Sequence, residues 1–87
     1  MRDDAPIRLG PYVFTHHSYD KSSDVLYLSI GSPREAIVWE SPEGHLVRLD
    51  PVTREVVGLT ILHAHEQAAG EQIPVTFPDR LETSLAL

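Results

Sequence analysis

The chain has 87 residues, a formal net charge of -6 and no cysteine. That length makes one domain and leaves no room for a two-domain enzyme with an interdomain cleft. Thirteen acidic residues face seven basic ones, and the basic ones are scattered, which argues against nucleic-acid binding through a clustered basic surface.

Residues 1–10 read as a polar arm. Tyr12 and Phe14 alternate behind Pro11 and predict a first strand. Asp20-Lys21-Ser22-Ser23-Asp24 is a turn, because its short polar side chains bond their own backbone. The clearest strand covers 25–30, with Leu26, Leu28 and Ile30 on one face and Val25, Tyr27 and Ser29 on the other. Gly31-Ser32-Pro33 stops it. A third strand covers 36–40, with Ile37 and Trp39 opposite Ala36 and Val38. Ser41-Pro42-Glu43-Gly44 turns the chain, Pro42 taking the second turn position and Gly44 the fourth. A fourth strand covers 45–50, with Val47 and Leu49 inward. Pro51-Val52-Thr53-Arg54 turns again, and 56–62 is a fifth strand with Val57, Leu59 and Ile61 on one side. Residues 63–70 predict a short helix ended by Gly70. Residues 74–77 are extended, a sixth short strand. Residues 78–87 predict a second helix, with Pro78 at its start and Leu81 and Leu85 one turn apart.

Strands about ten residues apart, with turn signals between them, predict a mainly β fold. The expected form is an antiparallel meander of five to six strands, α+β only at its C-terminus, where one or two short helices follow. The organisation is one domain over 1–87: an arm (1–10), the β-meander (12–62) and a C-terminal covering segment (63–87). The second sheet face is not cleanly polar, since it carries Val25, Tyr27, Ala36, Val38, Leu46, Val56 and Leu62. A sheet wet on one side alternates apolar with polar. The C-terminal segment or another copy of the chain is therefore expected to cover this face, and Trp39, Val38, Leu46 and Val56 are the expected interface residues.

Tyr19, Asp20, Asp24, Leu26, Tyr27 and Leu28, followed by Asp50, Val57, Gly58, Leu59, Ile61 and Leu62, carry a further signal. This YD-x(3)-D-x-LY-aliphatic opening and VVG-aliphatic-x-IL close over residues 19–67 resemble domain-of-unknown-function family 2283 of small prokaryotic proteins. The resemblance implies a small β-rich domain and supplies no catalytic residues. Genes of that family often lie beside genes for small toxin-like proteins, so the resemblance also implies an antitoxin-like or partner-binding role. The chain departs from the pattern at His63, where an aspartate usually stands, and in the tail after Gly70.

Five histidines raise a metal-binding expectation. His63 and His65 share a face if extended and diverge if helical; His16 and His17 are adjacent; His45 opens the fourth strand. No HExxH motif or cysteine pair frames a closed zinc site. Asp20, Asp24 and Asp50 recur at turns, where turn and capping bonds account for them more simply than acid–base catalysis. Ser22 or Ser23 with His16 or His17 lacks a nucleophile elbow. Gly58, inside a strand, predicts a bulge or a close approach of another element. Tyr12, Phe14, Tyr19, Tyr27 and Trp39 are read as core packing, since a stacking platform needs a basic groove.

The expected function is that of a non-catalytic, self-associating structural or protein-interaction domain without a cofactor. An antitoxin-like subunit binding a basic protein is the alternative, and a His-rich metal- or ligand-binding protein is the second alternative. No apolar run reaches the ~18 residues of a membrane span, and the acidic start lacks the apolar core of a signal peptide. The expected partners therefore include neither membrane nor nucleic acid, and the expected location is the cytoplasm.

Overall fold

A computed structural model describes residues 5–32, 34–70 and 72–86. Residues 1–4 of the expected arm, Pro33 of the expected stop and Leu87 of the expected last helix lie outside the described residues. The fold is mainly β and antiparallel, as its patterning predicts, with one short helix near the C-terminus.

Two strands precede the main sheet, β1 (Ile7–Leu9) and β2 (Tyr12–Phe14). The arm expected to be polar is therefore half of a hairpin, and Leu9 is 1% exposed. Gly10 (φ 59) and Pro11 form its two-residue turn between the paired Leu9 and Tyr12. Glycine leading with positive φ is the chemistry of a type II′ hairpin turn.

The main sheet contains β3 (His16–Asp20), β4 (Val25–Ser29), β5 (Ile37–Glu40), β6 (Leu46–Leu49) and β7 (Val56–Leu62), in the spatial order β3-β4-β7-β6-β5. The antiparallel pairing agrees with expectation; the neighbour order is more elaborate than a simple meander. After β4 the chain crosses to the far edge and returns by two hairpins, so β7 lies beside β4. Strands β4 to β7 thus form a Greek key.

The inner face carries Leu26, Leu28, Val47, Leu49, Leu59 and Ile61, all in one buried cluster. A register shift between Arg48 and Leu49 pairs Leu49 with Val56 and leaves Val57 as the extra residue. A strand that gains one residue swaps the faces of everything beyond it. This corrects the reading of β7: Val56 joins the core cluster, at 8% exposure, while Val57 is buried outside that cluster.

Helix α1 (Ala64–Ala68) follows β7, as expected. The expected sixth strand is β8 (Gln72–Thr76). The second helix expected at 78–87 is instead a strand, β9 (Glu82–Ala86), paired with β8. Leu81 and Leu85 are four positions apart, a spacing that fits a strand's period of two as well as a helical turn. In the hairpin Leu85 is buried, Leu81 and Thr83 are half-buried, and the residues between them are exposed. Ile73, Val75, Phe77 and Leu85 belong to the same cluster as the inner face of the main sheet, together with Leu9 and Phe14. The two hairpins therefore cover the inner face. The C-terminal segment does cover the sheet, but not on the side expected; the outer face keeps Tyr27, Val38 and Leu62 exposed. No helix among the described residues is long and apolar enough to cross a membrane.

Candidate functional site

The two edges of the main sheet differ in chemistry. The turn between β5 and β6 fixes the backbone at one of them. Ser41 N–H donates to the His45 carbonyl at 2.8 Å, and Gly44 N–H donates to the Ser41 carbonyl at 2.9 Å. Ser41 therefore faces both Gly44 (φ 93) and His45, a G1 bulge closing a type I turn. Antiparallel pairs alternate between hydrogen-bonded and non-hydrogen-bonded. Counting back from Ser41 and His45 along the register, Trp39–Val47 and Ile37–Leu49 are the bonded pairs. Val38 and Glu40 consequently turn their N–H and C=O groups to the open edge. No strand lies beyond β5 among the described residues, and Ile37 is 36% and Val38 60% exposed.

The same count from Ile30 N–H, which donates to the Val57 carbonyl at 3.0 Å, leaves His17 and Tyr19 facing outward at the β3 edge. That strand is exposed throughout and reads His-His-Ser-Tyr-Asp. Polar and charged side chains blunt an edge strand against pairing. β5 has only Glu40 for that purpose.

Of the expected interface residues, Val38 and Leu46 lie on the outer face, Leu46 half-buried opposite Glu40. Trp39 is partly buried on the inner face and packs against the core cluster. Val56 is buried beneath the sheet at 8% exposure and lies outside the exposed outer face. On the outer face, a trough of about 400 Å³ runs past Ser18, Tyr27, Ser29, Arg48 and Thr60. Gly58 makes the sheet thin there: a Cβ on it would stand 3.1 Å from the Leu28 carbonyl oxygen and 3.3 Å from Arg48 Cδ. Both readings of this glycine hold, since the bulge lies immediately before it.

The histidines do not converge. His16 and His17 start β3, at the opposite end from the Asp20–Asp24 turn; His63 caps α1 and His65 lies inside it. Helical placement separates His63 from His65. His63 instead meets two carboxylates: one ligand atom each of Asp24, His63 and Glu66 lies within 4.8 Å of the others. Asp24 is already engaged. Its Oδ1 accepts the Tyr19 hydroxyl and the His65 N–H, each at 2.7 Å, and its backbone carbonyl accepts the Ala64 N–H at 3.0 Å. The His65 N–H and then the Tyr19 hydroxyl hold its carboxyl below the usual aspartate range. Asp24 thus ties α1 to the β3–β4 turn as a cap supplied from another element.

Asp20 and Asp50 are bonded as turn chemistry predicts. Asp20 Oδ1 accepts the Ser22 N–H and hydroxyl, and Asp50 Oδ1 accepts the Val52 and Thr53 N–H groups. The Ser22 hydroxyl lowers the pKa of Asp20, and the Thr53 and Val52 amides lower that of Asp50. Ser22 is thereby committed to Asp20, and His16 Nδ1 lies 3.0 Å from the Thr15 hydroxyl. No nucleophile and base come together there.

Sequence reasoning missed the corner where the β5–β6 turn meets β8. His45 is fully buried, and its Nε2 donates to the Pro74 carbonyl at 2.8 Å. A carbonyl only accepts, so Nε2 carries the hydrogen. Nδ1 has no partner among the described residues. Beside it, Glu43 accepts the Thr76 N–H at 3.1 Å and the Thr76 hydroxyl. Burial opposes ionisation of Glu43, but the bonds from Thr76 and Ser41 outweigh it and hold its pKa below the usual glutamate range. A concavity of about 500 Å³ lies elsewhere, between Tyr12, Arg34, Arg54, Glu55 and Asp79. Its two cations and two anions select no charge class of ligand.

No protein-family model, no curated protein and no solved structure matches the chain.

Proposed function

We propose that this chain is a non-catalytic, self-associating β domain of the cytoplasm, akin to family 2283, whose role is structural or protein-binding. The observation that carries the proposal is the open β5 edge: outward N–H and C=O groups flanked by exposed Ile37 and Val38, next to an outer face that keeps Tyr27 and Leu62 in water. Unpaired strand edges are templates for another chain, and apolar side chains beside them add burial. Size-exclusion chromatography with light scattering at ~100 μM chain tests it, a concentration at which even weak pairing is populated. A mass above one chain is the expected outcome; a strict monomer overturns the proposal.

The net charge of -6 favours a second reading, an antitoxin-like subunit that binds a basic protein. Salt-sensitive co-purification of one small basic protein from the native host tests that reading.

A further inference from the structure

We propose that the self-association occurs by antiparallel pairing of β5 with β5 of a second copy, about a two-fold axis through Val38, giving one continuous sheet of ten strands across the dimer. The proposal rests on the self-association reading and adds the surface, the register and the occupant. Parity restricts the register. Only Val38 and Glu40 turn backbone groups outward in β5, and Ala36, two positions earlier, has the same parity. Bonded pairs across the axis must therefore join even-numbered positions. Centring on Val38 sets Val38 opposite Val38, Glu40 opposite Ala36, and Ile37 opposite Trp39.

The side chains agree with that register. Ile37 and Trp39 lie on the inner face and meet as a non-bonded pair, the arrangement in which side chains approach most closely. Trp39 of each copy then extends the apolar cluster over the exposed Ile37 of the other. The charges agree too. The two Glu40 carboxylates are kept apart at opposite ends of the pairing. Each faces Ala36 on the side toward Arg34, whose side chain pairs with Asp50 at 3.4 Å and is still 55% exposed. Shifting the register by two toward the C-terminus sets Val38 against Glu40 and moves Ile37 opposite Ser41, away from Trp39; shifting by four sets Glu40 against Glu40, a like-charge pair directly opposed. The β3 edge has no comparable apolar pair, only a polar strand exposed throughout. An edge strand pairing with itself is isologous, so the assembly closes at two copies.

Val38→Pro tests the interface without touching the ladder inside the chain, because the Val38 N–H faces outward and proline is tolerated there. At ~100 μM the wild type is expected to run as a dimer, and Val38→Pro as a folded monomer by circular dichroism and light scattering. Val38→Cys gives a second readout that does not depend on the tolerance of proline. The chain has no other thiol, so a short bis-maleimide should link the Val38→Cys chains into covalent dimers and leave Ser18→Cys chains, at the β3 edge, unlinked. A wild-type monomer overturns the self-association reading and this one with it. A wild-type dimer that survives Val38→Pro, or that links through Ser18→Cys and not Val38→Cys, overturns the β5 interface and leaves self-association standing.

Discussion

Two turns of this chain are built on one plan and share only their proline. In Ser41-Pro42-Glu43-Gly44-His45 and in Phe77-Pro78-Asp79-Arg80-Leu81, the fourth residue donates to the carbonyl of the first, and the first donates to the carbonyl of the fifth. Proline stands second in both. The fourth residue is left-handed in both, Gly44 at φ 93 and Arg80 at φ 69. Only glycine enters that region without steric cost; an L side chain loses about 1 kcal/mol there. The second turn therefore forms against the preference of its own residues. The first residues act differently: Phe77 is fully buried in the core cluster and leaves the Leu81 N–H to Asp79 Oδ1 at 3.1 Å, whereas its counterpart Ser41 accepts the His45 N–H on its own hydroxyl at 2.9 Å.

This contrast ranks the substitutions that would break it. Phe77→Ala should cost about 3–5 kcal/mol by denaturant unfolding, the range for emptying a buried aromatic site. Ser41→Ala at the equivalent position should cost about 1 kcal/mol, the worth of one hydrogen bond. Near-equal losses would sink the view that Phe77 acts by packing and Ser41 by bonding. Gly44→Val should destabilise by about 1–2 kcal/mol, because a β-branched side chain is forced into a left-handed backbone. Arg80→Gly should act in the opposite direction, stabilising by up to about 1 kcal/mol as the left-handed cost disappears. Glycine gives part of that back through the unfolded chain's freedom. A loss of stability in Arg80→Gly would show that the arginine side chain has a structural role of its own.

The smallest expected effect is one of pH. Glu43 in the first turn has a folded pKa below its unfolded one. Its contribution is therefore fully present above the unfolded pKa, near 4.3. It is lost as pH falls through the lower folded value. Glu43→Gln should flatten that part of the acid limb in a stability-against-pH series while leaving the plateau at pH 7 slightly lower. An unchanged limb would exclude Glu43 from the acid response.

The same pair of turns shows what the residues made legible. Ser-Pro-Glu-Gly announces its turn type, because Gly44 names the left-handed position. Phe-Pro-Asp-Arg hides the same geometry behind an arginine, and Leu81 and Leu85 at a spacing of four suit a helix that the structure does not form. The strands of the main sheet were legible from alternation alone, at Leu26 and Leu28 or Val47 and Leu49. Their neighbour order was not, since alternation assigns faces and says nothing about partners. Alternation places Val56 on the wrong face because a bulge is one unpaired residue, which leaves no periodic mark. The candidate edge was half legible. Ile37, Val38 and Trp39 stand out as apolar; that Val38 and Glu40 turn their backbone outward depends on hydrogen-bond parity, which begins at a turn and propagates along the ladder. His45 reads only as the histidine that opens the fourth strand, because its burial against a hairpin 29 positions later is a tertiary fact.

The strand order has a consequence in time. The hairpins β1–β2, β3–β4, β5–β6, β6–β7 and β8–β9 join neighbours in the chain and can form within microseconds. β4 against β7 is different: Val25 must find Leu62, and Ser29 must find Gly58, across the whole intervening β5–β6 excursion. Closing that loop is opposed by chain entropy before any of its contacts reward it. The search of β7 for β4 is therefore slower than any of these hairpins, and until it succeeds β4 and β7 are open edges in addition to those at β3 and β5.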